Sequence, residues 1–284
     1  MPRSLSLVLP RPFLVFPLAT LLLAVVACRP RQSLVEAGIR DQILQRGGGV
    51  EPTTIDPQRN TGAPEASIIQ CLFDSLVLAV PPEVNEVRAK GAERWTVSPD
   101  GLTYDFFLRR DARWSNGDPV VAEDYRAAFL RLLEPALAGT LADFAYPILG
   151  AEDYHRGRSK DAATVGVTTE GPHHLRIRLR QPMPHFLFLL EGYPFVAVHR
   201  SSIEANGGWL NPASPWTKAG IMVGNGPFRL KSWIPGQVMV LERNPYYWNV
   251  AAVKLREIHF HPIDSIDAEE RTYRAGQLHV TYSF

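Results

Sequence analysis

The side chains able to carry chemistry are few and scattered. His259-x-His261 places two imidazoles on one face of an extended segment, the beginning of a metal site, but no third ligand stands near them and no metal is expected. His173-His174 lies beside Gly171-Pro172 and reads as an exposed loop tip. Glu123-Asp124 and Glu269-Glu270 fall in the first turns of expected helices, where unpaired N–H groups favour carboxylates without any catalysis. Cys71 sits in an apolar helical pattern and reads as an inert buried thiol. The Gly-x-Ser-x-Gly elbow, the His-Glu-x-x-His helix, the phosphate loop and the dinucleotide glycine signature are all missing from the sequence. No catalytic residue and no cofactor is therefore expected.

The elements that must position these residues follow from the patterning of a 284-residue chain, 45% hydrophobic and 21% charged, which is long enough for about two domains. Thirty basic against 29 acidic residues leave no field for a nucleic-acid partner. The 24 Pro and 21 Gly point to many turns between short elements rather than a bundle. Residues 28–40 read as a tether, with Ser33-x-x-Glu36 as an alternative helix start. Asp41 to Arg46 reads as a strand ending at Gly47-Gly48-Gly49. A helix entered at Pro64 presents Ala66, Ile69, Leu72, Phe73 and Leu76 on one face and stops at Pro81-Pro82. From Trp95 the period becomes two, turning at Asp100-Gly101 and burying Leu102, Tyr104, Phe106 and Leu108. Tyr125, Ala128, Phe129 and Leu132 mark a helix ended by Pro135, and Leu175, Ile177 and Leu179 alternate with three arginines whose face is solvated. Strands at Phe228 to Trp233, Gln237 to Arg243 and Leu255 to His261 precede a last helix near Ile266 to Ala275. The six Trp are single and fit packing better than a stacking platform.

The first 27 residues carry only Arg3 and Arg11 as charges and an apolar stretch from Phe13 to Ala27, the pattern of a targeting segment. Val25-Val26-Ala27-Cys28 resembles the lipobox of bacterial lipoproteins, which implies cleavage before Cys28 and a diacylglycerol on its thiol; a small residue after a transmembrane anchor is the alternative. Without residues 1–27 the net charge falls from +1 to −1.

Several segments, read in order, resemble the solute-binding proteins of peptide-type ABC transporters, the family 5 extracellular solute-binding proteins. Glu51-Pro52-Thr53-Thr54-Ile55-Asp56-Pro57 with Gly62, and Leu72-Phe73-Asp74-Ser75-Leu76, are similar to that family's opening loop and helix. Ser98-Pro99-Asp100-Gly101-Leu102-Thr103-Tyr104, then Leu108 through Val120, form the longest block. Val165-Gly166-Val167, Asn225-Gly226-Pro227-Phe228, Arg243-Asn244-Pro245-Tyr246-Tyr247-Trp248 and Tyr273 through Leu278 continue it in order. The resemblance implies an α/β, mixed-sheet lobe of the periplasmic-binding-protein kind with an inserted smaller α+β domain. Residues 41–73 and 194–279 would form the sheet domain, 74–193 the insert, and 280–284 the start of a crossover to a second lobe that the sequence does not contain. It further implies a peptide ligand, permease subunits as partners, and a place on the periplasmic or cell-surface side of a bacterial membrane, anchored through the N-terminal lipid.

Within that resemblance the loop Thr61-Gly62-Ala63-Pro64 supplies main-chain hydrogen bonds to an extended peptide, and Tyr282 and Ser283 stand at the lobe junction near the ligand. From the residues alone, the same loop reads rather as a helix-entry turn with no ligand. The charged partners of peptide termini lie mostly in the absent lobe. His279, where relatives commonly carry Asp, and Ser75 in place of Gly depart from the pattern. Another solute such as a dipeptide, nickel or haem, a truncated product without transport function, and a membrane-tethered hydrolase are the competing readings; the last has no nucleophile motif behind it.

Overall fold

The computed structural model describes residues 32–80 and 86–282. Helix α1 (Leu34–Asp41) leads into strand β1 (Ile43–Gly47), and helix α2 (Ala63–Leu72) follows a long loop. Strands β2 (Val77–Ala79) and β3 (Val87–Ala89) pair as a small ribbon, ahead of β4 (Ala92–Val97), β5 (Thr103–Leu108) and helix α3 (Ala122–Leu133). After several short helical turns come β6 (Val167–Thr169) and β7 (His174–Arg178). Strands β8 (Phe228–Ile234), β9 (Val238–Arg243) and β10 (Glu257–His261) then precede helix α4 (Ile266–Arg274).

Two four-stranded sheets result. One has the order β1-β10-β9-β8, parallel only between β1 and β10; the other is antiparallel throughout, in the order β4-β5-β7-β6. Alternation sets the second sheet. Tyr104, Phe106 and Leu108 on β5 and Leu175 and Ile177 on β7 are buried, and α3 covers them with Tyr125, Ala128, Phe129 and Leu132. Asp100-Gly101 turns the hairpin, with the Asp100 carboxylate accepting the Leu102 N–H at 3.0 Å. Leu102 itself is only half-buried, just outside the strand.

Three expectations are corrected. The described part of the 28–40 tether is helical from Leu34, starting where the Ser33-x-x-Glu36 alternative placed it. This helix is held by tertiary bonds: the Val35 N–H donates to the Gly276 carbonyl at 3.0 Å, and the Val35 carbonyl faces His279 Nε2 at 3.1 Å. Helix α2 ends at Leu72, not at Pro81-Pro82. The Leu72 carbonyl takes the Gly226 N–H at 2.9 Å and the Asp74 N–H donates to Asn225 Oδ1 at 2.9 Å, so a distant loop pulls the chain out of the helix and into β2. His173-His174 is not an exposed tip. His174 lies in β7, stacked on Phe107 with ring centroids 4.8 Å apart, its Nε2 2.7 Å from Asp105.

Candidate functional site

Two of the described residues that the sequence marks for ligand contact, Pro64 and Tyr282, meet at the end of β1. Gly47 donates its N–H to the Val280 carbonyl at 2.9 Å, and His279 donates to the Gln45 carbonyl at 2.8 Å, so residues 279–281 run parallel to β1 as a fifth, short strand segment. That register carries Tyr282 past the glycines. A Cβ on Gly49 would lie 2.9 Å from Tyr282 Cδ1 and 3.3 Å from Pro64 Cγ, and Gly49 has a φ of +69°, a conformation that glycine adopts without strain. Tyr282 and Pro64, 218 positions apart in the sequence, thus flank one glycine. Ser283 and Cys28 lie outside the described residues.

The loop at residues 61–64 enters α2 with Gly62 as the N-cap residue and Pro64 in the first turn. Asn60 occupies both backbone groups of Gly62: its Oδ1 accepts the Gly62 N–H and its Nδ2 donates to the Gly62 carbonyl, each at 3.0 Å. Thr61 is different. Exposed, it keeps its backbone N–H and C=O without a partner among the described residues, and the Ala63 N–H is free as well.

Two buried carboxylates brace this surface, and neither was singled out in the sequence for it. Glu65 Oε1 accepts the Thr53 N–H at 3.1 Å, while its Oε2 has no partner among the described residues and packs on Gly62 so closely that any side chain there would collide. Glu269 Oε1 accepts the Tyr282 N–H at 2.8 Å. The signal for Glu65 was its place at the third helical position after Gly62; nothing local marks Glu269 as the partner of residue 282. Behind the loop, the fully buried Arg131 of α3 grips both Asp56 oxygens at 2.9 and 2.7 Å, Gln58 Oε1 at 2.6 Å and the Trp209 carbonyl at 2.9 Å. A two-pronged pair of this kind fixes geometry as well as charge.

The other candidates serve the scaffold. His261 Nε2 donates to Gln45 Oε1 at 2.8 Å and His259 Nε2 faces Glu257 Oε2 at 2.7 Å, so the expected imidazole pair is spent on its own sheet. Burial, aided by the neighbouring His259, holds the His261 imidazole below its ordinary value, against a bond to the Gln237 backbone. No cluster of three metal-ligating side chains occurs among the described residues. Burial pushes the half-buried Cys71 thiol up to about 11, and its Sγ donates to the Ser67 carbonyl at 3.2 Å. Asp124 accepts the Val121 N–H at 2.9 Å and Trp114 Nε1 at 3.1 Å; burial raises its carboxyl despite both bonds. His279 accepts the Gln45 N–H on Nδ1 at 2.9 Å and therefore presents Nε2–H to Val35, two bonds of which an Asp could make only the first.

Residues 86–284 match the family model described as bacterial extracellular solute-binding proteins, family 5 middle. The chain belongs to this family. It is 32% identical over 255 residues to the periplasmic oligopeptide-binding protein OppA of Salmonella typhimurium, covering 88% of this chain and 45% of that one. The structure of the Escherichia coli murein tripeptide binding protein MppA superposes with a TM-score of 0.79 at 32% identity, over 85% of this chain and 46% of the other. Haemophilus influenzae OppA, in complex with RPPGFSPFR, gives 0.79 at 29% identity over 86% and 46%. The chain thus spans about half the length of these relatives. Among the described residues no helix is long and apolar enough to cross a membrane.

Proposed function

We propose that this chain forms the first-lobe part of an extracytoplasmic solute-binding protein that takes oligopeptides and delivers them to the permease of an ABC transporter. The observation that carries the reading is Thr61. A residue with a free N–H and a free C=O, exposed beside a fixed loop, can exchange both bonds with one residue of an added antiparallel strand. Thr61, Gly62, Ala63 and Pro64 then form one wall of the peptide site. Asn60, Glu65 and Arg131 hold that wall in shape, and Tyr282 and Ser283 border it. Residues 41–73 and 194–279 act as the sheet domain and 74–193 as the insert, a division supported by the first sheet drawing on residues 43–47 and 228–261 and the second on 92–178. Cys28 carries the lipid that keeps the protein on the outer face of a bacterial membrane; two acyl chains suffice for stable anchoring where one does not.

Titration calorimetry of the full chain with a mixed peptide pool tests the site. One wall supplies about half the contacts of a closed cleft, so affinity no tighter than about 100 μM is expected, against the roughly micromolar value of a complete one. Thr61→Pro, which deletes the N–H, should abolish that heat while leaving the melting temperature in place. Unchanged binding in Thr61→Pro would overturn the assignment of the wall, and a tight one-to-one isotherm would mean that these residues alone build a complete site. Mass spectrometry of the native N-terminus should find an acylated Cys28; an unmodified mature chain would reject the anchor.

A further inference from the structure

Beside the loop that carries Thr61, a recess of about 170 Å³ opens between residues 53–59 and the turn at 212–218. Its polar side chains are two cations, four hydroxyls and a single carboxylate. Arg59 rests Nη1 on the Pro212 carbonyl at 2.7 Å, and its Nε is a buried donor with no acceptor among the described residues. Lys218 is exposed and meets no carboxylate among the described residues, and the Thr53 and Thr217 hydroxyls are likewise unpaired there. The one acid in the lining, Asp56, faces the other way chemically: both its oxygens are taken by Arg131, and Oδ1 also receives the Gln58 N–H at 3.1 Å. Its charge is cancelled by a buried guanidinium, so Arg59 and Lys218 are left uncompensated. The buried Trp216 indole completes the lining and keeps bulk water from one side, which strengthens any charge interaction formed there.

A recess with two cations, hydroxyls that can turn to donate and no carboxylate left unpaired among its described lining residues is complementary to a group that brings acceptors and negative charge. A recess of this size has room for a small charged group but not for a folded ligand. We propose that this recess binds a carboxylate or phosphate group between Arg59 and Lys218. The same chemistry can come from a free inorganic anion or from an acidic residue of a peptide on Thr61, two positions from Arg59. The site itself does not depend on the peptide reading.

Thermal melts of the full chain, without peptide, provide the test. Sodium phosphate or sodium acetate should raise the melting temperature saturably, with half-effect at about 1–10 mM, the weak affinity expected of a single ionic group. Sodium chloride at matched ionic strength should not reproduce the shift. Arg59→Gln and Lys218→Gln should each weaken the half-effect at least about fivefold, roughly 1 kcal/mol; Lys218, being exposed, can be changed without disturbing the fold. Stabilisation by acetate alone would point to a peptide carboxylate as the natural occupant, and by phosphate alone to an inorganic source. No saturable shift with either anion, or a shift that both variants retain, would overturn the proposal. Neither result bears on the Thr61→Pro titration, so the two readings fail separately.

Discussion

The sheet of β4, β5, β7 and β6 and the sheet of β1, β10, β9 and β8 solve the same problem with different chemistry. In the first, alternate residues of β5 and β7 go to an apolar core, and the opposite face is a charged lattice in which Asp105 meets His174 and Arg176 at 2.7 Å each. Its two hairpins, β4–β5 and β6–β7, turn tightly, and its paired strands lie within about one hundred residues of one another. In the second, one end of β1 is a run of glycines, its neighbour is parallel, and Gln45 gathers partners from the far end of the chain: its side chain meets those of His259 and His261, and its backbone N–H donates to the His279 imidazole. The contrast separates scaffold from site: the sheet with self-contained chemistry bears no candidate ligand residue, and the sheet assembled from distant segments ends where Gly49, Pro64 and Tyr282 meet.

The two sheets should differ most in their dependence on a single side chain at Phe106. It is fully buried, sits opposite Trp95 and Leu175 in the ladder, and its ring lies 6.5 Å from that of Tyr104. Phe106→Ala should cost about 3–5 kcal/mol through lost burial and a residual cavity. Urea denaturation measures it; a loss below about 1 kcal/mol would mean that the apolar face does not carry this sheet.

That face was legible because a strand's side-chain period is two and needs no partner to be seen. The same holds for α3, whose buried stripe and stop before Pro135 are as expected, and for the family motifs, which cover both sheets. What the sequence concealed depends on long-range bonds. Leu72 could have continued its helix, and only the approach of Asn225 and Gly226 ends it. His174 looked like a loop tip because the loop's composition says nothing of Asp105 across the ladder. At the candidate site the loop 61–64 was visible, yet its two decisive features were not: Asn60 consuming Gly62, and the buried carboxylates of Glu65 and Glu269 behind it.

A sharper probe of the sheet with β1 and β10 is His279→Asp. An aspartate keeps an acceptor for the Gln45 N–H but cannot donate to the Val35 carbonyl, and it sets two oxygens against each other at a half-buried helix contact. The expected loss is about 1–2 kcal/mol, one hydrogen bond together with the repulsion that replaces it. Hydrogen exchange should then show α1 opening ahead of β4 and β5. Equal protection of both regions would argue that α1 is not held through His279.

On the charged lattice the expected effect is smaller. Arg176→Ala removes the pairs to Asp105 and to Glu170, both partly exposed, and should cost about 0.5–1 kcal/mol, while Arg178→Ala, on an exposed position of the same strand, should fall within about 0.5 kcal/mol of zero. A large loss in both variants would turn the lattice from a solvated face into a structural one.

The gentlest probe is pH, and it distinguishes the sheets by window. Because burial and His259 hold His261 below its ordinary 6.5, the unfolded chain binds a proton more readily than the folded one, so the stability this group contributes is fully present above about pH 6.5 and is lost as the pH falls through its folded value. Asp105 behaves alike in a lower range. Burial pushes its carboxyl up, but the bonds from Arg176 and His174 outweigh this and leave it below 3.8, so its contribution survives mild acid and disappears only beneath that point. Denaturation midpoints followed from pH 7 downward should therefore first register the sheet with β1 and β10. His261→Gln, which keeps a donor for Gln45 and cannot titrate, should flatten the decline just below pH 6.5 and leave the decline below pH 3.8 unchanged. A variant that altered the lower window, or left the upper one as steep as before, would show that the two sheets do not titrate as separate regions.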